Sequence, residues 1–356
     1  MADASFRQHQ GQFLRGSMAK AQQDFRDDVM FMTSVQSARN KATEIYMNPD
    51  LPDRADYIMI GASANPYFVP HLPNELEPAS LMTAFGLQRA IALGRASAAN
   101  THTVRVLYSA APHTGSTFVC GMLSKVLNVR RTSLAINSTT PSAQSWFGGA
   151  TNEQSLDETA ILINSMAPGG FIAHNHITCS PMNANILGMY NIKPILTTRN
   201  IFDTMVSFDD HILRALPKTN ESPLLRHGVP ADYARRDFED RIAVLIDLKL
   251  PWYLRYYMSW QACERQEMVR PLWINYERDV LGSKAALARR LQQHLLLHEG
   301  LLPVLTEALS EKGDSMLNFN KGVAGRGGAI TGANRAKIDN MFARYADEAD
   351  FSAILD

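Results

Sequence analysis

Cysteine is scarce: Cys120, Cys179 and Cys263 are the only three in 356 residues, widely spaced and with no CxxC pair. That excludes a disulfide scaffold or a thiolate zinc site and leaves three reduced thiols for the core. Net charge is lacking as well, because 35 Lys and Arg balance 35 Asp and Glu. No whole-molecule field then draws the chain to nucleic acid or an anionic membrane, and any positive site must be local. Long apolar runs are missing, since no window reaches eighteen uninterrupted apolar residues. The opening MADASFRQHQGQF has no apolar stretch of the secretion type, so a cytoplasmic protein without a transmembrane segment is expected. Without such a signal, the glycosylation-type triplets at Asn137 and Asn220 read as chance matches.

What the chain does have is hydrophobic residues, 46% of the total, enough for a substantial core. Residues 1–100 read as a mainly helical extension, with Pro-broken segments between 51 and 73 and a short apolar stretch, DYIMIGA, that could form a strand. From residue 101 to 356 strands and helices alternate, the pattern of an α/β domain around a mostly parallel sheet. Strands are predicted at Val104–Ser109, Gly170–Asn175, Pro194–Thr198 and Pro271–Asn275. Helices are predicted near Thr117–Leu127, Gln154–Met166, Ile201–Leu213, Phe238–Arg265, Ser283–Leu296 and Gly332–Tyr345.

The first strand runs into APHTGSTF, Ala111 to Phe118, and then into a helix. A small-residue turn there aims backbone N–H groups and the helix dipole at one anion. It is not a Walker A loop, because the spacing is absent and no Lys follows the Gly. Three further clusters follow strands or loops: TTRNIFDTMVS with Arg199 and Ser207, INYERD with Tyr276 and Glu277, and FNKGVAGR with Lys321, Gly322 and Arg326. In an open parallel sheet, clusters at the carboxyl ends of strands converge on one ligand.

Taken together in this order, the four segments resemble the cytosolic type of sulfotransferase, the family that uses 3′-phosphoadenosine 5′-phosphosulfate (PAPS) as sulfuryl donor. APHTGSTF is similar to its 5′-phosphosulfate loop, TTRNIFDTMVS to its 3′-phosphate motif, INYERD to its R-Y-E-D strand end and FNKGVAGR to its F-x-R-K-G-x-x-G loop. The resemblance covers Val104 to about Gly328. It implies a three-layer P-loop-type α/β fold with PAPS held at the sheet's edge and no metal required. By that resemblance Thr114, Gly115, Ser116 and Thr117 hold the 5′-phosphosulfate, and Arg199, Ser207, Lys321 and Gly322 hold the 3′-phosphate, with Arg326 nearby. Phe118 and Tyr276 sandwich or edge the adenine.

FIAHNHITCSP resembles the family segment that ends in a catalytic histidine, with His176 at the base position and His174 near a family Lys; either can serve as base. Histidine suits the task because its ordinary pKa of ~6.5 lets it accept a hydroxyl proton near neutrality. The sequence departs from the family where His113 stands for the loop Lys or Arg, Asn320 for Arg and Ile201 for Pro. His113 is expected to serve as the loop cation in its imidazolium form.

Plainer readings stand beside these. Arg199 and Ser207 could pin a helix, with Asp203 as the ion partner of Arg199, and Glu277 reads as a partner for a backbone or Arg group. The aromatic run PWYLRYYMSW reads as core, with Arg255 and Tyr256 facing outward. The polar insert from His211 to Asp237 is either an acceptor-binding lid or a solvated excursion. The leading expectation is sulfuryl transfer to a hydroxyl of a carbohydrate, a lipid-linked glycan or a small metabolite. The rivals are a P-loop kinase or nucleotide hydrolase, which needs a loop Lys that is not here, and a nucleotide-binding or assembly protein without turnover. Residues 1–100 could bind the acceptor, pair two copies of the chain as a homo-oligomer or dock it to a membrane-bound assembly.

Overall fold

The alternation of buried strand residues and amphipathic helices is realised in a computed structural model, which describes residues 21–22, 24–29, 32, 34–51, 54–65, 68, 70, 84–135, 154–166, 169–216, 223–310 and 324–355. The described residues fall into two compact units that divide between Leu87 and Gln88. In the first, helices α1 (Val35–Met47) and α2 (Arg54–Ala64) build a small core of Val29, Ala38, Ala42, Ile45, Ala64 and Phe68. The segment DYIMIGA, predicted as a strand, is part of α2. Its inward residues Tyr57, Gly61 and Ala64 recur every three to four positions, which is the helical period. Gly61 is pressed against the Phe68 ring, where a Cβ would come within 2.3 Å of Cδ1.

Helix α3 (Ala84–Asn100) leads to the second unit, in which five strands form one parallel sheet. They are β1 (Arg105–Ala110), β2 (Arg130–Thr132), β3 (Phe171–Asn175), β4 (Lys193–Thr198) and β5 (Leu272–Asn275), in the order β2-β3-β1-β4-β5. Between them run α4 (Ser116–Leu127), α5 (Glu158–Met166), α6 (Pro181–Met189), α7 (Ile201–Ala215), α8 (Pro223–His227), α9 (Phe238–Leu248) and α10 (Leu250–Arg265). After β5 follow α11 (Lys284–Leu295), α12 (Leu302–Ser310), α13 (Gly332–Ala343) and α14 (Ser352–Leu355). Residues that alternate along the strands feed two cores. Val106, Tyr108, Ile172, Ile195 and Ile274 pack with α4, α11 and α12, whereas Leu107, Phe171, Ala173 and Leu196 pack with α5, α6, α7, α9, α10 and α13. Helix layer, sheet and helix layer make the three-layer α/β fold that the sequence implies. Among the described residues no helix is long and apolar enough to cross a membrane.

Four helices of the second unit, α6, α8, α12 and α14, and the strand β2 were not foreseen. β2 is three residues of charged edge, Arg-Arg-Thr, with no apolar pattern to announce it. Helix α6 does carry its signal, because Ser180 caps the Asn183 amide and Pro181 takes the first turn, where no N–H is needed. Helix α12 begins at Leu302 with Pro303 in its first turn. The helix predicted across Phe238–Arg265 is instead two, α9 and α10. Pro251 lacks the amide that would continue the first helix and sits in the opening turn of the second, so the chain breaks at Lys249.

Candidate active site

All four strand ends that the sequence marks lie on the carboxyl edge of the sheet, at the close of β1, β3, β4 and β5. After Ala110 the chain turns through two left-handed residues, His113 (φ 64°) and Gly115 (φ 83°), before α4 starts at Ser116. Three consecutive carbonyls of the loop are each taken by a donor. The Thr114 hydroxyl donates to Ala111 O at 2.7 Å, the Tyr253 hydroxyl to Pro112 O at 2.8 Å and Arg199 Nη1 to His113 O at 2.9 Å. Gly115 is the N-cap of α4 and offers no side-chain acceptor, so the first amides of that helix keep their donors for something else. An uncapped helix start beneath a pinned loop suits an anion's oxygens. Gly115 is required here, since a Cβ would lie 2.5 Å from the Tyr276 ring atoms Cδ2 and Cε2.

Two histidines stand at the end of β3, half-buried and 5.6 Å apart between ring centroids. His174 Nε2 shares a 2.9 Å hydrogen bond with the Ser116 hydroxyl, and burial, with His176 and Arg131 adding, pushes its pKa down to about 3. His176 Nδ1 lies 2.5 Å from Ala110 O. A carbonyl only accepts, so Nδ1 carries the proton and the lone pair is left on Nε2. Burial lowers the His176 pKa and the Ala110 bond offsets part of that, leaving the ring neutral at pH 7. The Gln154 side-chain oxygen accepts the His176 amide at 2.7 Å and fixes the backbone beneath the ring.

At His113, the expected loop cation, the surroundings oppose the charged form. Burial comes first among the causes, then His211, His176, Arg199 and Arg214, and together they drive its pKa well below the ordinary value. Its ring packs at 4.5 Å on Phe208 and 4.9 Å on His211, and its buried Nε2 has no hydrogen-bond partner among the described residues. A neutral imidazole turned into an aromatic cluster adds no charge to the loop.

Arg199 closes β4 and is almost wholly buried, with its guanidinium 4.6 Å above the Tyr276 ring. Glu277 is 4.0 Å from Arg199 Nε, and Nε has no hydrogen-bond partner among the described residues, so that donor can take an anion's oxygen. Glu277 accepts the Asn200 amide at 3.2 Å, the structural role read from the sequence. Asp203 does not pair with Arg199: its two oxygens accept the amides of Gly325 (2.8 Å) and Gly327 (2.5 Å), tying the glycine-rich loop to α7. Arg326 in that loop is paired with Asp210 at 2.6 Å. Ser207 is buried in α7, whereas Lys321, Gly322 and Asn320 lie outside the described residues. Tyr276 and Phe118 belong to one buried core cluster, and Arg199 and Gly115 already occupy the Tyr276 ring. As placed, the two rings close the core under the loop and do not present a pair of open faces for a base. Thr117 follows Ser116 in the first turn of α4.

Sequence reading missed the anchoring role of α10. Tyr253, Tyr256 and Trp260, at spacings of three and four, donate to the carbonyls of Pro112, Ser109 and Ile177, each at 2.8 Å. These carbonyls sit at or beyond the strand ends, where side chains replace ladder partners. Tyr256, expected to face outward, is fully buried for that reason, and Arg255 is exposed. Lys249 was missed as well: it is 2% exposed, and burial alone pushes its pKa down to about 8. Among the described residues no group of three or more His, Cys, Asp or Glu is arranged to hold a metal ion.

No protein-family model matches the chain, and no curated protein matches it significantly. Among solved structures it is similar to the crystal structure of mouse sulfotransferase SULT7A1 complexed with PAP, with a TM-score of 0.43 and 14% identity over 68% of this chain and 83% of that one. A likeness of that size fixes neither an activity nor a ligand.

Proposed function

We propose that this chain moves the sulfuryl group of PAPS to an acceptor hydroxyl, of a carbohydrate, a lipid-linked glycan or a small metabolite, with His176 as general base. The observation that carries the reading is the His176 hydrogen bond to Ala110 O, which leaves a neutral imidazole with its Nε2 lone pair beside the anion loop. The residues fit the donor. Uncapped amides at the start of α4 and the Ser116 and Thr117 hydroxyls suit its 5′ end, and the Arg199 Nε, lacking a hydrogen-bond acceptor among the described residues, suits its 3′-phosphate together with Ser207, Lys321 and Gly322. PAPS supplies an activated sulfuryl group whose bridging oxygen leaves with growing negative charge. His176 Nε2 takes the acceptor proton as the acceptor oxygen forms its bond to sulfur. His174, held by Ser116, fixes the loop's first helical residue and gives up its own Nε2 to that task.

The test begins with thermal-shift binding of adenosine 3′,5′-bisphosphate against ATP with Mg²⁺. Stabilisation by ATP alone would favour a kinase or hydrolase and reject the reading. Transfer of label from PAPS to members of an acceptor panel should then fall ~10²- to 10⁴-fold in His176→Ala, the range of general-base contributions. Bisphosphate binding should be retained. Equal turnover by the variant and the wild type would refute the base assignment.

A further inference from the structure

Next to the Phe208 ring lies a buried cation that no motif announces. Lys249 sits at the break between α9 and α10, four residues before Tyr253, so it lies one turn earlier on the side of α10 that meets the loop at Pro112. It is 2% exposed, and its Nζ lies 5.9 Å from the centroid of the Phe208 ring, the ring on which His113 packs. Among the described residues no carboxylate pairs with it. The carboxylates on α7 are committed elsewhere: Asp209 binds Arg241 at 2.8 Å and accepts from Tyr233, Asp210 binds Arg326, and Asp203 holds the amides of Gly325 and Gly327. A buried ammonium without a counter-ion is costly to fold around, and such groups occur where an anionic ligand supplies the missing charge. Meanwhile burial and neighbouring basic groups hold the pKa of His113, at the loop position that would carry a cation, well below its ordinary value.

Resting on the function proposed above, we infer that Lys249 supplies the positive charge that meets the transferred sulfuryl group. The ammonium sits on a flexible four-carbon stem that can extend past one ring. It acts on the sulfuryl end of the donor and not on the bisphosphate that remains after transfer.

The two nucleotides separate the roles. Dissociation constants for PAPS and for adenosine 3′,5′-bisphosphate are measured by calorimetry on the full chain as wild type, Lys249→Met and Lys249→Arg, with Lys249→Gln as a second neutral variant and a thermal melt of each as a check of folding. Both neutral variants should bind the bisphosphate within twofold of wild type and lose ~10-fold in affinity for PAPS, the size expected for one charge-assisted contact. The Arg variant should recover most of the loss. The inference is overturned if the neutral variants keep the wild-type preference for PAPS, or if they weaken both nucleotides equally. Failure of the wild type to bind the bisphosphate would reject the function itself, whatever the variants do.

Discussion

Replacing Lys249 by Met should make this protein more stable. The ammonium is 2% exposed and its pKa is pushed from the ordinary value of 10.5 down to about 8 by burial. At 1.36 kcal/mol for each tenfold change in proton affinity, that gap corresponds to about 3 kcal/mol which the folded chain carries at neutral pH. The unfolded chain holds the proton up to pH 10.5 and the folded one only to about pH 8, so the unfolded state binds more protons between these values and stability rises with pH there. The penalty is complete below pH 8 and gone above 10.5. Methionine nearly matches the stem's volume and loses only the weak attraction to the Phe208 ring at 5.9 Å, worth about 0.5 kcal/mol. The net gain for Lys249→Met at pH 7 is then about 2–3 kcal/mol, or roughly 3–4 °C in Tm for a chain of this length. Urea melts of wild type and variant at pH 7, 8.5 and 10 read the difference directly. It should shrink as pH rises. A variant no more stable than wild type at pH 7, or a gain that does not change with pH, would refute the burial argument.

Two other substitutions probe the loop and its tether. Gly115→Ala places a Cβ 2.5 Å from the Tyr276 ring on a residue at φ 83°, and should cost about 2–4 kcal/mol in urea melts. Adding Tyr276→Ala to it should return the steric part and leave the backbone strain; an unaffected Gly115→Ala protein would show that the loop opens elsewhere. Asp203→Asn keeps one acceptor oxygen for the amides of Gly325 and Gly327 and loses the other, along with the charge. About 2 kcal/mol of stability should go with it, and unchanged melts would mean that the glycine loop docks by other contacts.

The parts of this protein that were legible in its sequence are those whose physics is local. Four strands announced themselves as short apolar runs ending in polar clusters, and Ser116, Arg199 and His176 could be set at the sheet's edge because a parallel sheet gathers its strand ends there. What was not legible depends on partners far away in the chain. His113 reads as a cation by its place in the loop, and only the packing of Phe208 and His211, about a hundred residues on, shows its ring neutral. Asp203 reads as the partner of the arginine four residues before it, but its oxygens face glycine amides 122 and 124 residues later. The aromatic run of α10 gave a helical period and nothing about the polar tips of Tyr253, Tyr256 and Trp260. Their apolar bodies fill the core and their donors finish the strand ends, so one residue type satisfies both demands and sequence spacing reports only the first. Lys249 is the extreme case. Its one sequence signal is Pro251, which breaks a 28-residue helical pattern into α9 and α10 and leaves a lysine at the junction, where neither helix carries it out to solvent. A charge held inside by a helix break, beside a loop whose own cation is missing, is the feature from which the donor's sulfuryl contact is inferred.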